Sequence, residues 1–150
     1  MKTFYIKNIL TGEIFPVERK KESRIPKKIR LNENFSRASD EEVKNYLVER
    51  LKSKIKKQAS QLILNSYPEW KQRNHMAVVL EIQNKELMAL KLGTPYLVTE
   101  DEIASLNSAL EAKNKVFLIR EKSDLIELSL NTKTLSELES FDPTNNLNWL

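Results

Sequence analysis

Side chains able to do chemistry are few and scattered in this chain. His75 is the only histidine, cysteine is absent, and the two glycines are Gly12 and Gly93. A zinc site of the usual kind draws on His and Cys at close spacing, and the residue one helical turn past His75 is Val79. Without a thiol there is no disulfide framework and no sulfur nucleophile. Two separated glycines do not build a phosphate-cradling loop or a dinucleotide fingerprint. His75 could in principle serve as a general base, but Lys71 and Arg73 stand close by and a structural role is preferred. Glu100-Asp101-Glu102 could draw a hard cation, yet acids at a helix start already have a partner in the helix dipole. The expectation is therefore no enzyme, no catalytic residue, no cofactor and no metal.

Composition sets the scale of what must position these residues. The chain has 150 residues, 40% of them hydrophobic, with a mean hydropathy of −0.51. That is one domain's length, enough to bury about two-thirds of the unfolded surface. No apolar run approaches the ~18 residues of a membrane span, and the start lacks the pattern of a secretory signal, so cytoplasmic synthesis without membrane contact is expected. The net charge of +4 is unevenly spread: residues 1–75 hold 18 Lys/Arg against 9 Asp/Glu, and residues 76–150 hold 7 against 12. Much of the excess lies in Arg19, Lys20, Lys21, Arg24, Lys27, Lys28 and Arg30, with Glu22 as the one acid among them. Such a block reads as a solvated segment, as a dock for an acidic partner, or as a nucleic-acid or membrane-surface contact. The last is disfavoured, because no aromatic residue lies within the block to stack on bases.

Local pattern gives the elements. Residues 1–17 read as a β-hairpin, with Thr3–Lys7 and Glu13–Val17 as strands about a Thr11-Gly12 turn. Gly12 is expected at positive φ, and Pro16 places the return strand at an edge. Residues 18–38 read as a basic linker without packed structure. Ser39 to Glu42 forms a capping box opening a helix to about Asn65, with Val43, Leu47, Leu51, Ile55 and Ala59 on one side. A second row (Val48, Leu51, Ile55, Leu62, with Gln58 among them) leaves two readings of this helix: buried on one side within its own chain, or a seam between copies of the chain. A second helix follows to about Leu92, where Gly93 and Pro95 stop it. Its row Met76, Leu80, Gln83, Leu87, Leu90 alternates spacings of four and three, extended by Trp70 and Ala77. Thr99 and Glu102 form another capping box, for a third helix bearing Ile103, Leu106, Leu110, Phe117 and Ile119 or Arg120. The short connection makes helices two and three an antiparallel hairpin. Ser123-Asp124 could recap a short helix through Leu130, and Thr134–Ser140 could form another. The expected organisation is a mainly α chain: hairpin 1–17, basic linker 18–38, helical domain 39–130 and extension 131–150. Trp149 is expected to dock on the protein or on a partner.

Between the first two helices stands Tyr67-Pro68-Glu69-Trp70-Lys71-Gln72-Arg73-Asn74. Proline fits a helix only in its first turn, so the segment is a joint. Tyr67, Pro68, Trp70, Arg73 and Asn74 are the expected elbow, with Trp70 as a buried anchor. Arg73 and Asn74 have two readings: they satisfy carbonyls freed at the joint, or they contact a neighbouring subunit.

This octapeptide, the preceding Lys54–Ser66 helix, the following Met76-Ala77, Gly93-Thr94, the acidic start at Thr99–Glu102 and Arg120-Glu121-Lys122-Ser123-Asp124 together resemble a module of small tailed-bacteriophage tail and tail-fibre-associated proteins. The likeness covers about residues 50–128 and departs at Pro95-Tyr96, where the family places a Trp. The resemblance implies a structural virion component assembled in the host cytoplasm, with other tail or fibre proteins as partners and a homotrimer as the first expectation. A tail-fibre assembly chaperone that leaves the finished particle is the alternative reading, and a basic nucleic-acid-associated protein the third.

Overall fold

The structure, a computed structural model, describes residues 2–19, 34–145 and 148–149. It is mainly helical with a small N-terminal sheet, and its elements are β1 (Lys2–Asn8), β2 (Ile14–Arg19), β3 (Phe35–Arg37), α1 (Asp40–Ser66), α2 (Glu69–Leu92), α3 (Glu100–Leu130) and α4 (Leu135–Ser140). They form two compact units, one of Met1–Ser53 with Ser129–Asp142, the other of Lys54–Leu128 with Pro143–Leu150.

In the first unit β1 is the central strand of the order β2-β1-β3. The β1–β2 turn closes through Asn8, whose Oδ1 accepts from the Leu10 and Thr11 amides at 2.9 and 3.3 Å. Gly12 takes the expected left-handed conformation, φ 74°. Pro16 lies on the edge strand β2, opposite Tyr5, where a missing N–H costs no ladder bond to a third strand. The linker expectation is corrected at both ends: β2 continues to Arg19, and Phe35–Arg37 pairs antiparallel with Ile6–Asn8. The free edge of β1 supplies backbone partners that let three residues with little local strand signal become β3. Ala38 behind them is buried, and its amide donates to the Tyr5 carbonyl at 3.1 Å.

The start of α1 joins this sheet through side chains. Ser39 and Glu42 form the expected reciprocal cap, Glu42 also pairs with Lys7, and the Tyr5 and Tyr46 rings meet edge-on at 6.1 Å. Val43, Leu47, Val48 and Leu51 are buried in this unit, together with Leu130 and Leu138. Helix α4 is held by a further capping box, Thr134 with Glu137.

The second unit is an antiparallel helical layer. Lys56 of α1 pairs with Glu127 of α3 at 3.7 Å, and Lys85 of α2 pairs with Glu102 of α3 at 3.0 Å. Rising numbers along α1 and α2 thus meet falling numbers along α3. Gly93 ends α2 at φ 66°, with the Thr94 amide donating to Ala89 O at 3.0 Å and its own amide to Leu90 O. The connection to α3 then ends in the Thr99–Glu102 capping box. Ile55 and Ala59 of α1, Ile82 of α2 and Ile126 of α3 are buried here.

The expected break at Ser123-Asp124 is absent: α3 runs unbroken from Glu100 to Leu130, and Ser123 is buried on its inner side. That side reads Ser105, Ala109, Ala112, Val116, Ile119, Ser123, Ile126, spaced alternately by four and three and shielded to varying degrees. Its small residues allow close helix approach, whereas the sequence reading followed the larger side chains on another side.

Two helix starts should make the fold acid-sensitive. Glu42 is held at about 2 by the Lys7 ammonium and the Ser39 amide, and Glu102 at about 2 by the Thr99 amide and then Lys85. A carboxylate depressed in the folded state stabilises fully above its unfolded value and loses that contribution as the pH falls through the folded value. Stability should therefore fall between pH 4.5 and about 2. Glu42→Gln and Glu102→Gln should each flatten that acid limb in urea titrations followed by circular dichroism. A limb as steep in both variants as in the parent chain would remove these caps from the account.

Candidate functional site

The joint between α1 and α2 is built from four side chains. The Tyr67 amide makes the last α1 bond, to Ile63 O at 2.7 Å, and Pro68 then leaves the helix at φ −57°, ψ 152°. Its carbonyl opens α2 by accepting from Lys71 and Gln72 at 2.9 and 3.0 Å. The Gln72 side-chain amide reaches back to Tyr67 O at 2.7 Å, and the Tyr67 hydroxyl bonds His75 Nδ1 at 3.0 Å with the rings 5.4 Å apart. Burial raises the Tyr67 pKa above its already high ordinary value, and the neutral phenol can donate to the imidazole. The sequence reading missed Gln72 as the residue serving the freed carbonyl and His75 as the tyrosine's partner. Their offsets of five and eight from Tyr67 put both on one face of the new helix, which is the signal that could have found them.

Trp70 is corrected from buried anchor to surface residue, 62% exposed. At about 100° per residue it points roughly 120–180° away from His75, Val79 and Ile82, the side of α2 that turns inward. Arg73 spans back to Glu69 at 3.4 Å within α2, and Asn74 is exposed, so neither serves the freed carbonyl. Gln72→Ala should therefore cost about 1 kcal/mol through the unpaired Tyr67 carbonyl, and Trp70→Ala should stay within about 0.5 kcal/mol. Urea melts that reversed this order would return Trp70 to the core.

Of the basic cluster, Arg19 is the last residue of β2, and Lys20, Lys21, Arg24, Lys27, Lys28 and Arg30 lie outside the described residues. Trp149 is half-buried and donates its indole N–H to Pro143 O at 2.8 Å. With Leu62, Leu118 and Leu125 it lines a groove of about 540 Å³ along α1 and α3.

The largest departure from expectation concerns α2 and α3. Met76, Leu80, Gln83, Leu87 and Leu90, the four-three row of α2, are all exposed, as are Ile103, Leu110 and Phe117 of α3. On α1 the outcome is the opposite. Val43, Leu47, Val48, Leu51 and Ile55 are enclosed within the chain, whereas Gln58 and Leu62, the later members of the second row, are half-buried. Between α2 and α3 a groove of about 320 Å³ is lined by Met76, Val79 and Leu80 on one helix and Ala109, Lys113 and Val116 on the other.

Among the described residues, no group of three or more His, Cys, Asp or Glu is placed to hold a metal ion, and no helix is long and apolar enough to cross a membrane. The arrangement can bind apolar surface and hold a fixed angle between two helices. Compared with family models, curated proteins and solved structures, the chain matches none.

Proposed function

We propose that this chain is a structural component of a bacteriophage tail, associated with the tail fibre or tail tip and acting as an adaptor between other tail proteins. The observation that carries an assembly role is the exposed apolar side of the α2–α3 hairpin: the chain leaves large side chains on two adjacent helices uncovered by itself. Contiguous apolar surface of this kind in a water-soluble setting marks an interaction site. The narrower assignment to a tail is supported by the resemblance of the Tyr67–Asn74 segment and its flanking helices to the phage tail module. The elbow suits such a role, since Gln72, Tyr67 and His75 fix the joint through side-chain bonds.

The test is mass spectrometry of purified particles from a host producing them with this chain. Its peptides should co-purify with the particle through a density gradient, in fixed ratio to the other tail proteins. Peptides found only in unassembled fibre complexes from the lysate would replace this reading with that of an assembly chaperone, for which an exposed apolar side is equally apt.

A further inference from the structure

The exposed side of the α2–α3 hairpin has the form of half a four-helix bundle, and we infer that its occupant is a second copy of this chain. On α2 the row Met76, Leu80, Gln83, Leu87, Leu90 keeps the four-three spacing of a coiled-coil seam without a break. On α3, Ile103, Leu110 and Phe117 recur every seven residues, with Leu106 between the first two. Each row is offset in the same rotational sense from the side its helix turns inward. Because the helices are antiparallel, equal offsets bring both rows to one side of the hairpin. Met76 and Leu80 accordingly share a groove with Lys113, which lies between Leu110 and Phe117 on α3.

One observation sizes the interface, and another selects a second copy over a foreign partner. The first is area. Seven large apolar residues of these rows stand 47–78% exposed. At roughly 200 Å² for a fully exposed large side chain they offer on the order of 800 Å² per copy, which is about what each partner buries in a stable interface. The second is Gln83. It is the middle member of its row, so two copies of α2 packed antiparallel across a twofold axis bring Gln83 against its own twin. Two amides can then satisfy each other, each giving an N–H to the other's carbonyl. An apolar foreign helix would leave that amide desolvated and unpaired. A single polar residue in such a seam also fixes its register.

The inference rests on the same surface as the assembly role and names its occupant. Sedimentation equilibrium of the full chain across a wide concentration range should give twice the 17.5 kDa chain mass. Leu80→Glu and Leu87→Glu should each return it to the single-chain mass with unchanged helical circular dichroism, since both side chains are exposed in the lone chain. Asn74→Ala, exposed on the same helix but about 160° round it from Met76, should leave the dimer intact. A parent chain that stays at single mass throughout, forms trimers, or remains dimeric in both glutamate variants would overturn the pairing. None of these results would alter the outcome of the particle test.

Discussion

Ile55→Ala should remove about 2–5 kcal/mol of stability, the range found when a fully enclosed aliphatic side chain is cut back to a methyl group. Ile55 is 0% exposed, on the side of α1 that also buries Leu51 and Ala59. The loss has two parts: the transfer energy of the deleted carbons, and the cavity that the surrounding structure only partly collapses to fill. For a chain of this length each kcal/mol lowers the melting temperature by about 2–4 °C. Leu64→Ala on the same helix is the matched control, because Leu64 is exposed. Equal denaturation midpoints for the two variants would mean that the outer stretch of α1 is not packed as described.

The contrast between these two residues shows what was legible in the sequence. Elements set by chemistry within four residues were readable. Ser39 with Glu42 and Thr99 with Glu102 cap α1 and α3, and Gly12 and Gly93 occupy the two positive-φ positions among the described residues. The apolar row of α1 was readable too, because one spacing rule and one buried side coincide there. Elements that depend on a distant partner were not. Phe35–Arg37 has no strand pattern of its own and becomes β3 only at the free edge of β1. On α2 and α3 each helix carries more than one row at helical spacing, and periodicity alone does not say which of them turns inward. On α3 the inward row is the one with the smaller residues, because Ala109 and Ala112 admit a neighbouring helix where Leu110 and Phe117 would hold it off. The elbow was found from Pro68, whose ring restricts the backbone in any context. Its bonding was assigned to the wrong side chains, because which donor reaches the Tyr67 carbonyl depends on how α2 leaves the joint.

Leu138→Ala should match Ile55→Ala in size, at about 2–5 kcal/mol, and should also melt a whole element. Helix α4 has six residues, too short to persist in water by itself, since nucleation costs more than so few hydrogen bonds return. Two things hold it. The Thr134–Glu137 capping box satisfies amides at its start, and the cap draws the Glu137 carboxyl below its ordinary range. Leu138, 1% exposed, is its only buried residue and its attachment to the first unit, which also buries Val43, Leu47 and Leu130. Thr134→Ala removes the cap while keeping the attachment, and should cost only about 1 kcal/mol. Amide exchange separates the two contributions. In Leu138→Ala, protection at Leu138 and Phe141, which depends on bonds to Thr134 and Leu138 carbonyls, should vanish. In Thr134→Ala the same amides should stay protected. If Thr134→Ala instead stripped that protection and Leu138→Ala spared it, capping and not burial would be what maintains α4.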